Sequence, residues 1–411
     1  MKSGTLSQFR KELEKELKDN ILSWWMKYSP DNELGGFHGH IDHQNQVVKG
    51  AGKGAVLNAR ILWTFSAAYR MYKQPEYLET ARRAFAYIIS YFTDKKYGGV
   101  YWELEADGSV RSSRKQIYAT AFTVYALAEY HMACGDDQAL KIAKGLFRDL
   151  EAKALDLEFN GYTDALSRDW KALEDLRLSE KDQNESKTMN THLHILEAYA
   201  NLFRIWKEPA LEKALGNLIH LFLERFVDRE RNVLNLFFDD SWKLKSTLIS
   251  YGHDIECSWL LHEAAEVLGN QELIWECRKL AVKMARASEA GLAGDGGLNY
   301  EFFPETLVLE NDKHWWPQAE AMVGYFNAFE LSGEQLFLER ALGSWEFIKK
   351  YIIDQKLGEW YWSVDAKGLP QTGKEKAGFW KCPYHNGRAC MELMRRIDDT
   401  QKATTNPNSK S

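Results

Sequence analysis

This 411-residue sequence has little from which to build a disulfide frame, a membrane span or a basic binding face. Its five cysteines (Cys134, Cys257, Cys277, Cys382 and Cys390) are odd in number and include no CxxC pair. That argues against a disulfide framework and a zinc site, and for reduced thiols in the cytoplasm. No stretch reaches the roughly 18 uninterrupted apolar residues of a transmembrane helix. Met1 to Lys18 mixes acids and bases where a secretory leader would be apolar. Basic residues number 53 against 59 acidic, a net charge of -6, with no basic block or stripe, so no nucleic-acid partner is expected. Proline is scarce, 8 in 411 residues, about 2% against a usual ~5%, which suits a helical chain. What the chain does have is aromatic: 15 tryptophans and 19 tyrosines. Most are expected to fill the core, but aromatic faces also stack on the C–H faces of sugar rings.

A short turn motif recurs six times: Gly35-Gly36-Phe37, Gly98-Gly99-Val100, Asn160-Gly161-Tyr162, Asn232-Val233-Leu234, Gly296-Gly297-Leu298 and Gly358-Glu359-Trp360. The intervals are 63, 62, 72, 64 and 62 residues, and such self-similarity marks a repeat architecture. Each motif opens a brief alternating segment, such as Val100-Tyr101-Trp102-Glu103, that reads as a small β-hairpin or its remnant. Between the motifs, apolar residues at i, i+3, i+4 spacing predict helices. They cover 8–28, 57–71, 76–92, 119–132, 137–155 and 194–206, then 211–226, 255–268, 271–287, 319–331, 335–353 and 388–397. Six helical pairs without polar capping repeats are expected to close into a ring, an inner circle within an outer one. One domain over residues 1–400 follows, with a disordered polar tail at 401–411.

Unusual polar residues fall at the starts of the inner helices: Asn58 and Arg60, Tyr118, Asn190 to His194, Gly252 to Glu256, His314 to Pro317, and Tyr384 to Arg388. They keep the phase of the repeat, so in a closed ring they converge on one mouth, as a concave pocket of His, Arg, Asn and Trp. His192 and His194 are two apart, so only one can face that pocket. His38, His40 and His43 form an HxHxxH without an acidic or Cys partner to complete a metal set; no metal and no cofactor are expected. His253 and Glu256 share a helical face at i, i+3, and His385 opens the final helix. A helix N-terminus disfavours an imidazolium, whereas Glu256 opposes that effect at His253. A glycosidase would need two opposed carboxylates, and no such pair is evident. Imidazoles with Arg60 instead suit proton abstraction beside a carbonyl, where a base near neutrality works with cationic donors on the developing oxyanion.

The segments NARILWTF (58–65), NTHLHILEAYANL (190–202), GHDIE (252–256), HWWPQAEA (314–321) and FWKCPYHNGRAC (379–390) resemble the cellobiose 2-epimerases, the disaccharide-acting branch of the N-acylglucosamine 2-epimerase family. The resemblance runs from about residue 10 to residue 395 and implies an all-α (α/α)6 barrel with short β-hairpin loops. It also implies an epimerase that inverts C2 of the reducing-end glucose in a β-1,4-linked disaccharide. By resemblance, His253 and His385 are the acid/base pair, and His194 is a third pocket histidine serving ring opening or the O1/O2 side. Arg60 and Asn190 would bind the enediolate oxygens, Glu256 would stand beside His253, and Trp316 and Trp380 would be stacking walls. Asp182 would bind substrate from a loop, with Tyr118 also lining the site. Mannose 2-epimerases and aldose–ketose isomerases share the barrel and much of the histidine set. A non-catalytic sugar-binding barrel is the alternative outside enzymes. The expected partner is a small oligosaccharide, with no membrane, for a cytoplasmic monomer or homodimer.

Overall fold

The computed structural model describes residues 3–405. Twelve helices among them alternate between outer and inner positions. The outer helices are α1 (residues 3–28), α3 (residues 75–92), α5 (Asp137–Lys153), α7 (residues 209–226), α9 (Gln271–Ser288) and α11 (residues 335–352). The inner helices are α2 (Ala55–Tyr72), α4 (Ile117–Cys134), α6 (Met189–Ile205), α8 (Tyr251–Leu268), α10 (Trp315–Ser332) and α12 (Tyr384–Thr405). Each inner helix packs on the next, and α12 returns to α2 and closes the ring. The fold is an (α/α)6 barrel. Inner helices are buried on nearly all sides, α4 from Ile117 to Tyr130 without a break, whereas the outer helices keep a charged face to solvent.

The recurrent turn is a matter of backbone conformation. Gly35, Gly36, Gly98, Gly99, Asn160, Gly161, Asn232, Gly296 and Gly358 all have φ between 56° and 90°, the left-handed region that Gly and Asn tolerate best. An aspartate opens the turn in most repeats. Asp31, Asp94, Asp156, Asp228 and Asp354 each accept from the backbone N–H groups two and three residues on. Lys53, Lys115 and Lys187, two residues before inner helices, bury their ammonium groups on Asp31, Asp94 and Asp156 at 2.8, 2.9 and 2.7 Å.

Short strands stitch the ring at the N-terminal ends of the inner helices. Lys53–Gly54 pairs antiparallel with Glu103–Leu104, Lys115–Gln116 with Ala165–Leu166, and Lys187–Thr188 with Phe237–Phe238. Ile249–Ser250 pairs with Glu301–Phe303, Lys313–His314 with Ser363–Val364, and an Ile41–Ala377 bridge completes the belt. These pairings join neighbouring repeats; hairpins within a repeat appear at 103–112, 227–234 and 301–310, and single bridges such as Thr93–Val100 and Ile353–Trp360 close the recurrent turns.

Two expectations are corrected. Inner helices begin up to five residues before the predicted starts, and in α6, α8 and α12 a polar first turn interrupts the apolar spacing. Helix α12 continues to Thr405, past the tail boundary expected at 401, and Gln401 Nε2 there donates to Ser7 Oγ on α1 at 3.0 Å. Residues 406–411 of that tail lie outside the described residues.

Candidate active site

Because the inner helices all start at the same end of the barrel, their first turns meet at one mouth. The structure brings Arg60, Tyr118, His194, His253, Trp316, Trp380 and His385 together there. Arg60 Nη2 donates to Tyr118 Oη at 2.7 Å, and Nη1 reaches the Trp380 carbonyl at 3.4 Å. Its guanidinium lies over Phe122 at 4.2 Å. Arg60 Nε and Asn190 Oδ1 are buried polar atoms with no protein partner, and buried polar groups of that kind are uncommon outside functional sites. Tyr118 stands edge-on to His194 at 4.9 Å and to Trp380 at 5.8 Å.

The two proposed acid/base histidines flank one indole. Trp316 lies 4.7 Å from the His253 ring and 5.6 Å from His385. Gly252 makes room for it: a Cβ there would sit 2.6 Å from the Trp316 ring. His253 Nδ1 is 2.7 Å from Ser250 Oγ, and His385 Nδ1 is 2.7 Å from Glu320 Oε1. With Nδ1 engaged on both rings, Nε2 is the nitrogen available to exchange protons. Burial, and then the nearby His194, pushes His253 down to about 3. Burial with Arg60 and Arg388 holds His385 well below the ordinary imidazole value. Both rings are therefore neutral at pH 7. His194 Nδ1 donates to Glu197 Oε2 at 3.0 Å, and burial lowers its pKa as well. His192 points away, as its spacing requires: its Nε2 accepts from Tyr162 N at 2.9 Å and fastens the Gly161 turn.

Beneath the histidines lies a buried charge cluster. Arg388 Nη2 reaches Glu256 Oε1 at 2.7 Å and Glu320 Oε1 at 2.6 Å, while Nη1 bonds Glu197 and the Tyr384 hydroxyl. Burial and the neighbouring Glu320 raise the Glu256 carboxyl above its usual range. Burial alone would raise Glu197 too, but Arg388 and His194 hold it down. The resemblance placed Glu256 beside His253. In the structure it is bonded to Arg388 and lies 3.9 Å from His385 Nδ1. Glu197 and Glu320 were missed as site residues, and Arg388, expected at the mouth, had been given no role there. Their signal was phase, since Glu197, Glu256 and Arg388 each stand three residues after a pocket histidine and Glu320 falls between them in the same register.

Among the described residues, Glu256, Glu320 and His385 are also the group spaced as metal ligands, with ligand atoms within 4.8 Å. The guanidinium of Arg388 already stands on the Oε1 atoms of both carboxylates, so it supplies the positive charge there. Around the rim, Tyr300 stacks on His314 at 3.9 Å, and Trp102 packs 4.7 Å from Phe379 and 5.8 Å from Trp380. Asp182 lies in the long loop before α6, where its carboxylate accepts from Ser179 N and Oγ at 2.8 and 2.9 Å. Burial raises its pKa.

The family model for N-acylglucosamine 2-epimerase matches residues 35–389. A cellobiose 2-epimerase of Bacteroides fragilis is 51% identical over 385 residues, covering 94% of this chain and 98% of that protein. One from Ruminococcus albus is 39% identical over 386 residues, with coverages of 94% and 98%. The structure of cellobiose 2-epimerase from Bacillus thermoamylovorans B4167 superposes with a TM-score of 0.90 at 40% identity, covering 95% of this chain and 100% of that one. The match spans the first inner helix through Arg388, all the elements that build the mouth, and this chain belongs to the N-acylglucosamine 2-epimerase family.

Proposed function

We propose that the protein is an epimerase that inverts C2 of the reducing-end glucose in β-1,4-linked disaccharides, turning cellobiose into glucosyl-mannose and lactose into epilactose. The names of relatives that align end to end support the substrate class. The observation that carries the chemistry is the pair His253 and His385, on different helices, both neutral and both beside Trp316. Inversion requires removal of a proton on one face of C2 and its return on the other, and two positioned imidazoles meet that requirement.

The pyranose opens first, because only the aldehyde acidifies the C2 hydrogen. His194 serves that step or holds the O1/O2 side. One histidine of the pair then takes the C2 proton to give a cis-enediolate. Arg60, hydrogen-bonded to Tyr118, and Asn190 supply cationic and hydrogen-bonding stabilisation for its oxygens. Rotation about C2–C3, or access from the opposite face, lets the other histidine return a proton and form the mannose configuration. Trp316 and Trp380 provide the stacking walls, and Asp182 contributes from its loop. If the proton is returned to C1 instead, with O1 ending as the hydroxyl and O2 as the carbonyl oxygen, a ketose forms, so slow isomerase activity accompanies epimerisation. Residues 1–400 act as one catalytic unit, monomeric and cytoplasmic. The five unpaired thiols favour that compartment.

Incubation with cellobiose in D2O tests the reading. An epimerase yields a mannose-type disaccharide deuterated at C2. Mainly ketose would mean an isomerase, and sugar binding without exchange would mean a non-catalytic barrel.

A further inference from the structure

We propose that Ser250 is a positioning residue that keeps His253 in place for proton transfer. The inference rests on the acid/base reading of His253 above. Ser250 is the N-cap residue of α8, a place where serine ordinarily accepts a hydrogen bond from the backbone of the first turn. Here its side chain makes no cap bond. Where the N-cap residue is Thr, Asp or Asn, its side chain does accept in this way: Thr188 from Thr191 N, Asp136 from Ala139 N, and Asn270 from Glu272 N and Leu273 N. The Ser250 hydroxyl is instead turned to His253 Nδ1 at 2.7 Å, in a residue only 1% exposed. Its backbone is fixed as well, by the pairing of Ile249–Ser250 with the strand at 301–303.

A hydroxyl both donates and accepts. It accepts from Nδ1–H when His253 is a neutral base with a free Nε2, and again when His253 has become an imidazolium. It donates to Nδ1 if the neutral ring carries its proton on Nε2. The ring therefore keeps one orientation through every protonation state, with no full charge to trap the proton. His385 is held differently, by the carboxylate of Glu320, which accepts only from Nδ1–H. The two members of the pair are thus chemically unequal, and Ser250 acts on one of them alone.

The test compares Ser250→Ala, Ser250→Thr and His253→Asn. It measures turnover and KM on cellobiose, the melting temperature, and deuterium wash-in at C2 of cellobiose and of glucosyl-mannose separately. Ser250→Ala is expected to melt like wild type, because no cap bond is lost, and to keep its KM. Turnover should fall about tenfold or more, as for a misplaced catalytic group. Wash-in should be lost selectively from the sugar that His253→Asn also silences, and Ser250→Thr should restore it. Wild-type turnover in Ser250→Ala beside an inactive His253→Asn would overturn the positioning role alone. So would equal loss of wash-in from both sugars with a lowered melting temperature. Full turnover in His253→Asn would overturn the acid/base reading itself.

Discussion

The Glu320 oxygen that holds His385 Nδ1 at 2.7 Å is the same oxygen that receives Arg388 Nη2 at 2.6 Å. The orientation of a proposed catalytic imidazole is thereby tied to a guanidinium that also binds Glu256 and Glu197. Removing that guanidinium leaves three buried carboxylates without their shared counter-charge. Arg388→Met should destabilise the fold by about 3–5 kcal/mol, the usual cost of breaking a buried ion pair from one side. Urea unfolding measures it, and a change under about 1 kcal/mol would mean that the carboxylates take up protons at little cost.

His253→Asn and His385→Asn should each lose at least ~10²-fold in turnover, the scale of a general acid or base. One variant should still wash deuterium into cellobiose and the other into glucosyl-mannose, each without converting its own sugar. Loss of exchange from both sugars in both variants would mean that the imidazoles act as one unit, for instance in ring opening.

Trp316 touches both imidazoles, so its truncation should do more than weaken stacking. Trp316→Ala is expected to raise KM by an amount equal to about 1–2 kcal/mol and to lower turnover as the histidines lose their shared wall. Unchanged KM with a lower melting temperature would make it a core residue.

Chelation should leave turnover intact, because Arg388 meets the charge of the Glu256–Glu320 pair. Activity lost to EDTA and restored by one divalent ion would overturn the imidazole mechanism.

The pH dependence of stability has two opposed contributions. His253, pushed down to about 3 by burial, and His192, pushed down to about 4, are neutral in the folded protein and charged below about 6.5 when unfolded. Their contribution is whole above pH 6.5 and falls away on acidification through that window. Asp254, raised to about 8 by burial, and Asp164, raised to about 7, behave in the opposite sense. They stabilise below the unfolded carboxyl value, and that contribution is lost as pH rises towards 7 and 8. The effects offset each other between about pH 4 and 6.5, so above 6.5 only the carboxyl slope remains. The melting temperature should therefore fall from pH 6.5 to 8.5. Asp254→Asn, which keeps the acceptor for Leu234 N, should flatten that fall; an unaltered slope would show that Asp254 is ionised in the fold.

The ring was legible because its turns need residues of a particular backbone habit. Gly35-Gly36 and Asn160-Gly161 announce φ > 0 in the sequence as plainly as in the structure. The pocket histidines were legible because they stand at the polar first turns of otherwise apolar helices. Glu197 and Glu320 were not, since a lone carboxylate within a helix reads as one more solvated residue until its partner is known. That partner, Arg388, comes from a helix 191 residues away from Glu197, and no local pattern joins them. The π turns at 88–92, 222–226 and 348–352, which end three outer helices, left no trace in the apolar spacing either. Their side chains simply continue the buried face.

Closure of α12 onto α2 has a consequence for how the protein is made. Arg60 leaves the ribosome 328 residues before Arg388, and at ~5–20 residues per second the wait for the matching wall lasts tens of seconds. Throughout that interval α2 has no neighbour on one flank, and Glu197, Glu256 and Glu320, as each is made, have no guanidinium to gather around. A nascent chain can assemble helical pairs in order, but the chamber exists only once the final staves drop in. A nonsense mutation ahead of residue 384 would therefore abolish the chamber outright, however much of the barrel had already formed.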